Sequence, residues 1–252
     1  MDRVMRLESH VAEGLCYVAS AFIQAGLPYA MIGANALILQ GVDLARSTRD
    51  LDIAVTATGG LGGVREILAG VGMRTSRIVH RFYTPAGIEV DVLPLDPSVK
   101  GQREIQFPDG ERLSAVGLAD AVRHSVKIDT DHCIVNVAAL PILVALKLHV
   151  ATRRPGELDL RDAFAAMDQY ANEGTRRFDL DYVAHSELAY ETAGAFLLGR
   201  NLLDVVEEDT LSQVLADVRA LLINDRLSEE RELGIQCAPL LHAFRLGLKD
   251  AG

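Results

Sequence analysis

At 252 residues with 49% hydrophobic content, the chain can bury one large core or two small ones, which excludes an intrinsically disordered protein. The formal net charge of −10 is uneven: residues 1–177 carry 19 Lys/Arg against 21 Asp/Glu and residues 178–252 carry 6 against 14, so the last third should repel nucleic acid, DNA included. No run of about 18 uninterrupted apolar residues occurs and the charged first ten residues lack a signal-peptide core, so a soluble, cytoplasmic protein with no membrane partner is expected.

In chain order, residues 11–26 place Leu15, Val18, Ala19, Phe22 and Ile23 at the spacing of an amphipathic helix, stopped by Gly26 and Pro28. An apolar strand over 29–32 meets Gly33 and passes into a short helical run over 34–40. A polar loop with Arg46, Thr48 and Arg49 then leads to a second strand carrying Asp50 and Asp52. Residues 61–71 read as a helix. Residues 78–83 and 88–93 read as a hairpin turned by Thr84-Pro85-Ala86-Gly87, its second strand holding Glu89 and Asp91. Short β pieces are expected around Ile105 and Arg112, and 126–128 can pair with 133–137. From Leu140 the pattern is helical: 140–152, 158–170, 180–198, 202 onward, 210–223 and 230–248. The expected fold class is α/β (α+β), with a mixed sheet flanked by helices over residues 1–138 and a helical C-terminal region over 139–252 that packs on this head and walls its cleft.

Alternation along a strand turns Asp50 and Asp52 to one face while Leu51 and Ile53 enter the core. With 35 acidic residues in the chain, chance alone supplies roughly five acid-x-acid pairs, so the apolar flanks are what single this pair out. Two carboxylates on one face call for a cation. Hard oxygen ligands favour Mg²⁺, and the alternative is pairing with Arg46 and Arg49. Gly33, at a strand-to-helix turn, would let a phosphate approach backbone N–H groups, or serves only the turn; Asn35 offers a polar side chain nearby, or caps the helix. Cys16, Cys133 and Cys237 lack metal spacing and are expected to be buried free thiols in a reducing cytosol. The seven histidines show no metal spacing and read as surface or satisfied core.

The string Arg46-x-Thr48-x-Asp50-Leu51-Asp52 after Gly33, with Asp91 on a later strand, resembles the nucleotidyltransferase fold of the polymerase-beta type. It is most similar to the AbiEii-like group, which includes toxins of type IV toxin–antitoxin systems. The resemblance spans roughly residues 27–167. Asp91 is implied to complete a three-carboxylate site with Asp50 and Asp52 holding one or two Mg²⁺, and Glu89 is expected beside it or in solvent. Gly33, Ala34, Asn35, Arg46, Thr48, Arg49, Lys147 and Arg154 are implied around an NTP, in a site of the ATP-binding kind. Lys147 would face the triphosphate as a point charge. Ala34 stands where such enzymes usually have Gly or Ser, and Leu158 where a second Lys is expected, before Asp159 and Asp162. The alternative for the latter stretch is a Lys147–Asp162 or Arg154–Asp159 bridge between helices. The implied activity is Mg-dependent, pyrophosphate-releasing transfer of an NMP to an acceptor hydroxyl or phosphate, of tRNA, protein or a small molecule such as an antibiotic. A toxin with an antitoxin partner is one implied role, and a degenerate nucleotide- or partner-binding module is the alternative class.

Overall fold

Helix α1 (Ser9–Gln24) forms where the apolar spacing runs, burying Val11, Leu15, Val18 and Phe22. Its last carbonyls are closed by Gly26 N–H on Ile23 and Leu27 N–H on Phe22. The computed structural model describes residues 7–154, 157–172, 175–223 and 237–250. After α1 come β1 (Tyr29–Ile32), α2 (Gly33–Leu39), β2 (Leu51–Thr56), α3 (Leu61–Gly70), β3 (Arg74–Thr75), β4 (Arg81–Tyr83) and β5 (Glu89–Leu95). Then follow β6 (Glu104–Gln106), β7 (Arg112–Ser114), α4 (Leu118–Arg123), β8 (Ser125–Asp129) and β9 (Ile134–Ala138).

Seven strands form one mixed sheet in the order β3-β4-β5-β2-β1-β9-β8, while β6 and β7 pair separately. β1 is buried along its whole length, as a strand hydrogen-bonded on both sides and covered by helices must be. It runs antiparallel to β2 and parallel to β9, and β2 runs parallel to β5. Leu51, Ile53, Val55, Val90, Val92, Val135 and Val137 are fully buried and form the sheet's share of the core. This mixed sheet flanked by helices, with a helical region after it, is the expected fold class.

Within residues 1–139, three details depart from the sequence reading. The strand expected over 78–83 begins only at Arg81, because Ser76 Oγ accepts the Ile78 N–H and the Arg81 N–H turns back to Ile78 O. The short α4 and two-residue β3 were not anticipated. The expectation of three free thiols is corrected: Cys16 and Cys133 form a disulfide across 117 residues, since α1 packs beside β9, and Cys237 is a buried thiol outside any disulfide.

By its internal contacts the chain divides into residues 1–139 and 140–252. The second unit holds α5 (Leu140–Arg153), α6 (Glu157–Gln169), a 3-10 turn (Tyr190–Thr192), α7 (Ala193–Leu202), α8 (Glu208–Ile223) and α9 (Cys237–Gly247). The helix expected over 180–198 is replaced by turns up to α7. Asp181 Oδ1 accepts the N–H of Val183 and of Ala184, an alternative to helical bonding that Asp readily offers. Arg177 closes the end of α6 through the carbonyls of Asp168 and Tyr170. The apolar residues before α7 do not share one buried face: Val183 is 91% exposed, whereas Leu188 is buried. The expected helix start at Glu230 lies outside the described residues. Where α5 meets α8, buried His149 Nδ1 lies 2.6 Å from Asp217 Oδ2, a satisfied core histidine as expected. Among the described residues, no helix is long and apolar enough to cross a membrane.

Candidate active site

Register assembles the site. Asp52 on β2 lies beside Ile32 of antiparallel β1 and beside Asp91 of parallel β5, so the Gly33 turn and the two carboxylate positions meet at one place on the sheet. Gly33 has φ +77°, a left-handed conformation that costs a side-chain-bearing residue strain. A Cβ built there would also overlap the Asp52 Oδ2 atom. Both conformation and space therefore demand glycine. The carboxylate of Asp52 fits against bare backbone at the entry to α2, where a Cβ would otherwise stand.

The loop before β2 is pinned from below. Buried Asn35 donates its amide to the carbonyls of Asp50 at 2.8 Å and Thr48 at 3.4 Å, and the Thr48 hydroxyl donates to Asp50 Oδ1. Asn35 sits inside α2 rather than at its cap, so its work is to hold the Asp50 backbone beside the helix. Ala34 is buried, Thr48, Asp50, Asp52 and Arg46 are half-buried, and Arg49 is exposed.

Asp91 is held by a residue that the sequence reading passed over. Arg81 of β4 lies opposite Asp91 and donates from Nε and Nη2 to its two carboxylate oxygens, both at 2.8 Å. Its Nη1 lies 2.7 Å from Glu89 Oε1, and Tyr83 Oη donates to the other Glu89 oxygen at 3.3 Å. The bond to Asp91 holds the guanidinium above its already high pKa, more than offsetting partial burial. A signal existed. Closing the predicted hairpin at Thr84 and Ile88 and counting back along both strands puts Tyr83 against Glu89 and Arg81 against Asp91.

Asp50 and Asp52 are both hard oxygen donors, the kind a divalent cation takes, and Asp52 lies against the bare backbone of Gly33. The third carboxylate does not join them on the same terms, because both Asp91 oxygens face Arg81. Among the described residues, no group of three or more His, Cys, Asp or Glu is arranged to hold a metal ion.

Lys147 and Arg154 belong to the helical unit. The Lys147 ammonium lies 2.9 Å from Asp159 Oδ1 and 2.8 Å from Asp162 Oδ2, joining α5 to α6, and Arg154 donates to Asp159 Oδ2 at 3.0 Å. Burial works against the ammonium, but the two carboxylates outweigh it and raise the Lys147 pKa. Burial likewise opposes ionisation of Asp159, and Lys147 and Arg154 outweigh it, so its pKa is lowered. Leu158 is 53% exposed and takes no part in this bridge.

No protein-family model matches the chain, and no curated protein does. Among solved structures, it is similar to an antigenic nucleotidyltransferase-like protein from Paracoccidioides brasiliensis (18% identity, 82% of this chain and 94% of that one, TM-score 0.47). It is also similar to the lincomycin-bound lincosamide antibiotic adenylyltransferase LnuA (15% identity, 64% and 96%, TM-score 0.43). A third is a putative nucleotidyltransferase from H. pylori (11% identity, 100% and 99%, TM-score 0.41). At TM-scores below one half these are distant likenesses, and the functional reading rests on the carboxylates and the Gly33 turn.

Proposed function

We propose that this chain is a metal-dependent nucleotidyltransferase that moves an NMP from an NTP to an acceptor hydroxyl or phosphate. The observation that carries the reading is the apposition of Gly33 to Asp52, with Asp52 level with Asp91 on the neighbouring strand. In the reaction, an acceptor oxygen bonds to the α-phosphorus, the bond to the bridging α–β oxygen breaks, pyrophosphate leaves with that electron pair, and an acceptor hydroxyl loses its proton to water. Gly33 and Ala34 offer backbone N–H groups to phosphate oxygens at the start of α2, and Arg46 and Arg49 offset phosphate charge. Asn35 and Thr48 keep Asp50 in place. Asp50 and Asp52 would hold the divalent ion, Mg²⁺ by the hardness of its ligands, and this ion when bound supplies positive charge against the phosphates. In this reading Lys147 and Arg154 reach nucleotide only by giving up Asp159, so their first role is the α5–α6 bridge. The toxin role with an antitoxin partner belongs to the AbiEii-like resemblance, as does the choice among tRNA, protein and small-molecule acceptors.

A second reading, a module that binds nucleotide or a partner without catalysis, is favoured by the engagement of Asp91 with Arg81. Incubation with α-labelled NTPs, Mg²⁺ and cell lysate separates the two. The enzyme reading expects label on an acceptor and none with Asp52→Asn. NTP binding by calorimetry without any transferred label supports the module.

A further inference from the structure

The β4–β5 hairpin turns four polar side chains, Arg81, Tyr83, Glu89 and Asp91, to the face on which a cation would be needed. Two of the four are carboxylates, and one guanidinium engages both. Arg81 spends Nε and Nη2 on the two oxygens of Asp91 and Nη1 on Glu89, at 2.7–2.8 Å, with its side chain only 25% exposed and that of Asp91 14%. A planar fork that matches a carboxylate in two-point fashion is a fixed partner, unlike a flexible lysine. A divalent ion bridging towards Asp91 would have to share these oxygens with a guanidinium carrying a full charge, at a distance where like charges repel strongly.

We propose that Arg81 is the resident cation of the Asp91–Glu89 side of this site and takes the place of a second divalent ion. The chain then binds one divalent ion, at Asp50 and Asp52, and Arg81 supplies the permanent positive charge beside Asp91. This rests on the reading of Asp50 and Asp52 as metal-holding residues. Removing Arg81 would leave two adjacent carboxylates without their shared cation, and this hairpin face would then attract a divalent ion.

The test is titration of the full chain with Mn²⁺ alone, counting bound ions by the electron paramagnetic resonance of the free ion, for the wild type, Arg81→Gln, Arg81→Lys and Asp52→Asn. The expected result is one Mn²⁺ on the wild type, lost in Asp52→Asn, and a second Mn²⁺ on Arg81→Gln with affinity at least tenfold above any further binding to the wild type. Arg81→Lys should stay closer to one, because an ammonium keeps the charge while losing the two-point fit. Two comparable ions on the wild type, or one only on a folded Arg81→Gln, overturn the proposal for Arg81 and leave the Asp50–Asp52 reading standing. No Mn²⁺ on the wild type or on Arg81→Gln overturns that underlying reading as well. If Arg81→Gln does not fold, as followed by circular dichroism, the wild-type count and Arg81→Lys still decide.

Discussion

Two residues carry the sharpest consequences. At Gly33, any side chain meets both a left-handed backbone and the Asp52 carboxylate. Gly33→Ala is therefore expected to cost about 1–3 kcal/mol of stability and to displace Asp52, so that Mn²⁺ affinity and any transfer activity fall together; an unchanged melting curve would contradict this. Lys147 is the second. Lys147→Met removes the ammonium that Asp159 and Asp162 share inside a buried bridge, and should cost about 3 kcal/mol. The pH response has a definite sign. The depressed Asp159 pKa contributes stability that is present above its unfolded value, about pH 4, and lost as pH falls through its lower folded value. The raised Lys147 pKa contributes stability that is complete below about pH 10.4 and lost as pH rises past its higher folded value. The wild type should thus lose melting temperature on acidification below about pH 4. In Lys147→Met, Asp159 keeps only Arg154 as its cation, so this loss of melting temperature on acidification should be smaller than in the wild type. A Lys147→Met variant with normal stability but weakened NTP binding would return this residue to the nucleotide.

Among the described elements, α7 and α9 pack closely backbone to backbone. A Cβ on Gly199 would overlap the Phe244 carbonyl, and one on Gly247 the Phe196 carbonyl, so the two backbones pack at glycine distance. Gly247→Ala should force them apart at about 1–3 kcal/mol, read as a lower midpoint in denaturant with an unchanged slope. The hairpin β4–β5 teaches a related lesson. Its strands and turn were legible from composition, yet its chemistry depends on which residue stands opposite which. A shift of one residue would have put Arg81 on the other face from Asp91. The turns before α7 are the converse case, where Leu180, Val183 and Leu188 mimic helical spacing and local bonds from Asp181 win.

For the whole molecule, charge is unevenly shared: residues 178–252 carry 6 basic against 14 acidic residues. Photocrosslinking with labelled RNA is expected to leave this segment unmarked, and a salt-sensitive crosslink within it would refute the expectation. The sequence by itself determined the strand–glycine–helix–loop–strand order around Gly33, the alternation that turns Asp52 away from the core, and most of the helices, because each follows from the spacing of neighbouring residues. Only the tertiary structure decided what those residues touch. The bond between Cys16 and Cys133, the Lys147 ammonium spent on Asp159 and Asp162, and the Arg81 clamp on Asp91 all join residues whose pairing depends on how separate elements come together. Spacing along a chain specifies which face a side chain takes, whereas its partner is set by strand register and helix packing, where burial and charge compensation are settled together.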